Sequence, residues 1–482
     1  MSCDVAIVGG GISGLYVAET LLRLKKETNV CLFERDHRFG GRIRDHTFQR
    51  VSNIPVSLGA WRVDEGHSAV WDILERFNIS STQLAKNNHD RLEARGFFAN
   101  DTETVKQKAF PALNHGRFQN TTYRQMLGYA FSHRKEASNF ASLSDFITEY
   151  LTPEGLQLFG HLTGFRLYYG RQQSPESVFE IEEAFAMANA TGNYFRLDNG
   201  LSVITRALEM SAMKHGANLY VDQEIRVINE NKKKQFKLIT TNYTVTANKL
   251  VLAVPVNPMK QIEGSLAERI QNDSTFDSIG FMVAFKGFAV FEEAWWQRNS
   301  TGNRYLADEQ ECCLTVTVWD SRFHTGRSRG PKGEAVLQMS YAKLRCAVKW
   351  GELLKIQSKE YMDQQMLKAL KRLFPGVDIP KPLESVYMYW EEGYRHVQRA
   401  GTHVSSFKVV EWAKRPFQGQ DVFVVGEAYH PLKGWIEGAL QSAENALREG
   451  WGIGNINDFK KQIRELPQEH MINNHLDWSL FP

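Results

Sequence analysis

The chain has 482 residues, of which 42% are hydrophobic and 12% aromatic, so it can bury large cores and is not disordered as a whole. At roughly 100–200 residues per domain it holds two to four domains. Its 58 basic and 55 acidic residues leave a net charge of +3, without the basic excess of a dedicated nucleic-acid binder. Residues 4–8 (Asp-Val-Ala-Ile-Val) form a short β-branched apolar run, expected as a buried parallel strand. Gly9-x-Gly11-x-x-Gly14 follows, then a helix-period stretch with Leu15, Ala18, Leu21 and Leu22 on one side. A second strand, Val30 to Phe33, ends at Glu34. This is a βαβ opening.

Residues 67–194 carry mostly helical patterns, including Ala69–Phe77, Leu143–Tyr150 and Ser177–Met187, and read as an insert. Leu219–Ile228 and Phe236–Leu252 alternate like a meander, with Lys232-Lys233-Lys234 as a hairpin tip. Phe281–Phe291, Cys313–Trp319 and Ala335–Tyr341 read as strands of a second sheet. Trp350–Phe374 reads as helix ended by Pro375-Gly376, and Val422–Gly426 as a buried strand leading to a helix over Trp435–Trp451. The expected architecture is α/β: a discontinuous Rossmann-type domain (1–66, 195–262 and 405–454), a mainly helical insert (67–194), a mixed-sheet substrate domain (263–404) and a tail (455–482).

Five cysteines without C-x-x-C spacing support neither a disulfide framework nor a zinc site. No run is long and apolar enough to span a membrane. A first strand beginning at Asp4 leaves no room for a signal peptide. Yet N-x-S/T sequons begin at Asn78, Asn100, Asn120, Asn189, Asn242, Asn272 and Asn299. The localisation stays open: secreted if a signal has been trimmed, otherwise cytoplasmic.

The glycine motif carries chemistry. The first glycine permits the tight turn, the second lets the backbone approach a pyrophosphate, and the third allows close helix–strand packing. The helix N-terminus offers free N–H groups to phosphate, and Glu34 is placed to accept from ribose hydroxyls. Phe39-Gly40-Gly41-Arg42 comes soon after: Gly41 lets the chain pass near the pyrophosphate and Arg42 adds a charge-assisted contact.

Gly9 to Gly14, Glu34 and Gly40-Gly41-Arg42 resemble the N-terminal signature of the flavin-containing amine oxidase family. Gly426-Glu427 through Gly434-Trp435-Ile436-Glu437-Gly438-Ala439 is similar to its second signature, where a helix starts against the flavin. The resemblance implies FAD, and the lack of any cysteine after Cys346 implies that it is bound non-covalently. Ile225, after Glu224, matches a position whose backbone binds the adenine. Leu58-Gly59-Ala60-Trp61-Arg62 is similar to the segment where L-amino-acid oxidases hold the substrate carboxylate, which makes Arg62 the expected anchor and Tyr341 its partner. Gly434 would offer a carbonyl to the substrate amine and Trp435 an indole wall. Lys286, ten residues before Trp296, resembles the family's strand lysine that holds a water against the flavin.

The resemblance is to the L-amino-acid oxidase branch, of the mollusc escapin and aplysianin type. It implies oxidative deamination of an L-amino acid, basic ones such as L-Lys or L-Arg included, to the 2-oxo acid, ammonia and hydrogen peroxide. Molecular oxygen would be the second substrate and a homodimer fits the family. A monoamine or polyamine oxidase, or an amino-acid 2-monooxygenase, is the alternative, and a non-enzymatic binder like the Rab GDP-dissociation inhibitors is a third class. His396, His403 and His430 read as structural.

Overall fold

The computed structural model describes residues 1–84, 90–99, 101–110, 123–152, 154–155, 172–188, 191–231, 234–297, 304–306, 314, 316–317 and 330–453. Strand β1 (Ser2–Val8) turns at Gly9 into α1 (Ile12–Arg23), and β2 (Val30–Phe33) follows. Gly9 has φ +102°, a left-handed value that favours glycine, and a Cβ at Gly14 would lie 2.1 Å from the Gly9 carbonyl oxygen. The helix can start this close to the strand only because both positions are bare. Ten of the twelve α1 residues are buried, so α1 lies between the sheet and its covering helices.

Next come α2 (Ser68–Arg76) and α3 (Pro175–Met187). The Ser174 side chain caps α3 by accepting from the Ser177 N–H, and Pro175 sits at the first turn, where no donor is needed. Between α2 and α3 the described residues hold further helices and also short strands at Ser81–Gln83, Asp90–Ala94 and Phe97–Ala99. Phe97–Ala99 forms a local hairpin with Asp90–Ala94, while Ser81–Gln83 and Asp90–Ala94 pair with Tyr194–Leu197 and Arg304–Leu306, partners far away in sequence.

Four further strands, β3 (Asn218–Tyr220), β4 (Val227–Glu230), β5 (Phe236–Ile239) and β6 (Thr244–Leu252), precede the second sheet. That sheet is built from β7 (Ile279–Phe291), β8 (Ala335–Lys343) and β9 (Glu384–Gln398), with α4 (Leu344–Ile356) and α5 (Lys359–Leu373) between β8 and β9. The apolar pattern over Trp350–Phe374 is therefore two helices, divided where Gln357 turns extended and the Ser358 side chain caps α5 through the Tyr361 N–H. Finally β10 (Val422–Val424) leads through a tight loop to α6 (Ile436–Trp451), which stops at the left-handed Gly452.

The first sheet runs β3-β2-β1-β6-β5-β4. β6 serves two partners: its first half pairs antiparallel with β5, and Leu250–Leu252 pair parallel with β10. The parallel strands β2, β1, β6 and β10 thus end side by side, at Glu34, Gly9, Ala253 and Val425. In open α/β sheets ligands bind at such carboxyl ends. The second sheet, β8-β7-β9, is antiparallel.

The cysteine reading needs correction. Cys3 and Cys31, both buried, form a disulfide across β1 and β2, and Cys346 is disulfide-bonded as well. An odd count without a motif hides pairings made by sheet neighbours 28 residues apart. Cys312 and Cys313 lie outside the described residues, as do Asn100, Asn120, Asn189, Asn299, Lys232, Lys233 and the tail from 454 onward. Among the described residues, no helix is long and apolar enough to cross a membrane.

One buried acid ties α2 to α6. Glu437, in the first turn of α6, accepts from the backbone N–H groups of Ala69 at 3.1 Å and Val70 at 3.0 Å. The His67 side chain makes no cap at that helix end, so a carboxylate from α6 does the capping. Glu437→Ala strands two buried donors. It should cost about 1–3 kcal/mol of stability in urea denaturation, whereas Glu444→Ala, on the same helix, should cost less than half of that.

Candidate active site

A cavity of about 640 Å³ opens where the strand ends converge, within the range of about 300–1,000 Å³ usual for cofactor sites. Gly9, Gly11, Glu34, Gly41, Arg42, Ile225, Gly426, Glu427, Gly434, Trp435 and Ile436 all line it. Residues spread across the whole chain thus meet around one elongated space.

The glycines divide into two kinds. Gly9 and Gly14 are demanded by protein packing, since a Cβ at Gly9 would lie 2.5 Å from the Ala253 carbonyl oxygen. Gly11 is different: a Cβ there meets nothing within 4 Å, although Gly11 lines the cavity. It would fill ligand space rather than clash with protein, which is what a pyrophosphate approaching the start of α1 requires. Glu34 accepts from the Gly10 N–H at 2.7 Å and the Asp36 N–H at 2.9 Å. Burial raises its pKa, with those two donors opposing. Both oxygens keep lone pairs for ribose hydroxyls. The donor set, and the cradle that a Cβ at Gly11 would fill, fit FAD.

Gly40 and Gly41 both have positive φ and approach Gly11, with Gly40 bridging it directly. Arg38, which the sequence reading passed over, locks this loop by donating to the carbonyls of Phe39, Gly41 and Ile43. Its signal was present as an arginine just before the Gly-Gly pair. Arg42 lines the cavity, yet its protein partner is an acid: it donates to Glu427 at 2.7 Å. Glu427 also accepts from the backbone N–H of His396 at 3.0 Å and of Gly434 at 2.6 Å, and its carboxylate contacts the His396 ring at 2.8 Å. Burial alone would raise its pKa, but Arg42 and His396 hold it well below the usual carboxylate range.

Trp435 stands at the flavin-signature end of the cavity. Its indole lies parallel to the Tyr194 ring at 6.0 Å and meets Phe185 of α3 and His67 edge-on. Arg62 is buried in the same cluster, its guanidinium carbon 3.8 Å from the Tyr194 ring centre, 4.6 Å from Trp61 and 5.6 Å from Trp435. It is not among the residues lining this cavity, whereas Trp435, beside it, is. Tyr341 hydrogen-bonds through its hydroxyl to Tyr394, which does line the cavity.

His67 and Tyr394 carried no sequence signal, because their importance comes from neighbours distant along the chain. His67 accepts at Nδ1 from the Asp64 N–H, and burial pushes its pKa down to about 3. His396 pairs with Glu427, His430 accepts from the Leu432 N–H, and His403 is exposed.

Lys286 is fully buried and lies opposite Tyr341 in the β7–β8 register. Its ammonium donates to the carbonyls of Gly59 at 2.7 Å and Ser57 at 3.2 Å, and stands 4.7 Å from the Tyr341 ring centre. Burial, with Arg62 adding to it and Asp45 opposing, pushes its pKa down to about 7.

Two predictions follow from these positions. Gly11→Ala should leave the melting temperature of FAD-free protein unchanged while weakening FAD binding at least tenfold by flavin titration, whereas Gly14→Ala should destabilise the FAD-free chain itself. For Lys286, the unfolded chain binds a proton between pH about 7 and 10.5 that the folded chain does not. Its contribution to stability therefore rises with pH across that window, at most by about 1.4 kcal/mol per pH unit. Lys286→Met should flatten that rise in urea melts at pH 7, 8.5 and 10.

A family model described as flavin containing amine oxidoreductase matches residues 12–448. Achacin of Lissachatina fulica is 23% identical over 515 aligned residues, which cover 93% of this chain and 93% of achacin. Tryptophan 2-monooxygenase of Agrobacterium vitis is 36% identical over 77 residues, 16% of this chain and 10% of that protein. Among solved structures, a Putrescine Oxidase bound to putrescine superposes with a TM-score of 0.66 at 15% identity, over 92% of this chain and 97% of that one, a likeness of fold. With the family match running from the start of α1 into α6, across the Gly40-Gly41 loop and the Trp435 wall, the chain belongs to the flavin-containing amine oxidoreductase family.

Proposed function

We propose that this protein oxidises the carbon–nitrogen bond of a primary amine, and that the amine is the α-amino group of an amino acid. The observation that carries the reading is Arg62, a permanent cation buried beside Trp435 and cushioned by three aromatic rings. A planar guanidinium in such a setting suits a carboxylate through two parallel hydrogen bonds. Tyr341 would add a hydroxyl to the same head group, and the Gly434 carbonyl would accept from the amine. The indole of Trp435, backed by Phe185 and Tyr194, excludes water and favours the neutral amine, the form that can lose a hydride. Non-covalently held FAD would supply the hydride-accepting and oxygen-reducing chemistry there. The substrate is left as an imino acid, which water splits to a 2-oxo acid and ammonia. Lys286, with two protons given to carbonyls, retains one to hold a water.

A second reading has specific support, and the comparisons weigh more towards it than towards an L-amino-acid oxidase as such. The fold matches a Putrescine Oxidase over nearly its whole length, and the local sequence match is to a tryptophan 2-monooxygenase. An amine oxidase would use the aromatic cluster without a carboxylate. A 2-monooxygenase would use Arg62 in the same way but release an amide, carbon dioxide and water. The preference for basic amino acids has less physical backing: Lys343 places its ammonium 4.9 Å from the Tyr341 ring, beside Lys286 and Arg62, so a cationic side chain on that wall meets like charge.

The deciding experiment is anaerobic bleaching of the flavin by a panel of L-amino acids and their decarboxylated amines. Amino acids should bleach it and the matching amines should not; the opposite pattern establishes an amine oxidase. Measuring peroxide against carbon dioxide per turnover then separates oxidase from monooxygenase. Arg62→Ala should raise the KM for amino acids about 100-fold, the value of a lost charge-assisted contact of roughly 3 kcal/mol, with flavin content unchanged. Equal losses for amines and amino acids would make Arg62 architectural.

A further inference from the structure

We infer that this chain is an N-glycosylated protein of an oxidising compartment, with glycans at Asn78, Asn242 and Asn272. Two independent observations lead there, one inside the fold and one on its surface. The first is the pair of buried strand cysteines. Cys3 and Cys31 are each 1% exposed and bridge the two strands that form the core of the nucleotide-binding sheet. Cys346, fully buried in the first turn of α4, is bonded too. Each such bond forms when two thiols give up two protons and two electrons to a disulfide-relay oxidant. Such bonds persist where no thiol pool reduces them, in secretory and extracellular spaces.

The second observation is the state of the sequon asparagines. Three of the seven sequons lie within the described residues, and in each the asparagine and the hydroxyl residue are both exposed: Asn78 with Ser80, Asn242 with Thr244, and Asn272 with Ser274. All three sit where a regular element has just ended. Asn78 follows α2 with a left-handed φ of 52°, Asn242 forms the turn between β5 and β6, and Asn272 closes the helix Ser265–Gln271. None of the three side-chain amides takes part in a hydrogen bond among the described residues. Some asparagines outside sequons are engaged instead: Asn29 donates to the Ser2 carbonyl, Asn193 to Glu65, and Asn229 accepts from the Ser265 N–H.

The modification replaces one Nδ2–H of the asparagine by a bond to the anomeric carbon of an oligosaccharide. The sugar's bond to its lipid pyrophosphate carrier breaks, the pyrophosphate leaves with the electron pair, and the amide proton is lost. None of the three asparagines lines the cavity, so glycans at these turns leave cofactor and substrate access open.

The test produces the full chain through a eukaryotic secretory pathway and maps each site by amidase release in ¹⁸O-water with peptide mass spectrometry. Labelled aspartate at positions 78, 242 and 272 supports the proposal, and an unmodified amide at any of them removes that site. Asn78→Gln, Asn242→Gln and Asn272→Gln should each remove one glycan with flavin content and turnover unchanged. Ser80→Ala, Thr244→Ala and Ser274→Ala, which keep the asparagine, should do the same. For the compartment, alkylation of the unreduced protein should leave Cys3 and Cys31 unlabelled, and reduction should lower the melting temperature. Free thiols at both positions in the secreted protein, or the same melting temperature for protein made in a reducing cytosol, would overturn it.

Discussion

A single buried carboxylate holds the site together. Glu427 sits at the end of β10, is 3% exposed, and stays ionised because Arg42, the His396 ring and two backbone N–H groups all turn towards it. Taking a charge out of water costs several kcal/mol unless its lone pairs are filled, and here they are. The donors come from three places: the Gly-Gly-Arg loop after β2, the last turn of the second sheet at β9, and the loop leading to Trp435. Each would drift independently without the shared acceptor. Glu427 thus fixes the distance between the pyrophosphate-side loop and the substrate-side wall. Its contribution is positional more than energetic, since a buried ion pair adds little net stability against well-packed apolar residues.

The same logic repeats one turn further on. Trp435 precedes α6, and Glu437 anchors that helix by capping α2. His67, at the start of α2, then meets Trp435 edge-on at 4.8 Å. The wall of the site is therefore gripped from both ends, by Glu427 through Gly434 and by Glu437 through α2. Helix α3 closes the third side, with Ile181, Ala184 and Phe185 packed on the indole. An enzyme whose cofactor performs the bond-breaking step depends on this kind of placement more than on acid–base groups.

Much of this arrangement was legible in the sequence because its logic is local. Gly9, Gly11, Gly14, Glu34 and Arg42 fall within about one βαβ unit, where spacing alone fixes which way each points. Lys286 was legible for another reason, as a charge in an otherwise apolar strand needs a built partner, and it has two carbonyls. What stayed hidden depends on contacts between distant residues. Tyr194 lies 132 residues beyond Arg62 in numbering, yet supplies the ring under its guanidinium. The strands Ser81–Gln83 and Asp90–Ala94 borrow partners from 194–197 and 304–306, which no local pattern announces. The disulfide was invisible because pairing across parallel strands leaves no spacing rule.

The buried bases around the site share a consequence. Lys286 is pushed down to about 7 and Lys433 to about 8, both by burial, while His67 and His430 are held neutral near 3. The guanidinium groups keep a fixed positive charge in this region at neutral pH. The lysines are poised close to losing theirs. An anion brought next to Lys286 favours its charged form, so anion binding and proton uptake are linked thermodynamically. An anion bound there would take up part of a proton near pH 7, and less both well below it, where the ammonium is already charged, and well above it. The neutral imidazoles cannot join this exchange, because their titration lies far below the working range. Burial has sorted the bases into those that respond to a ligand and those that only shape the cavity. That division follows from how deeply each group is enclosed, and no single motif in the chain encodes it.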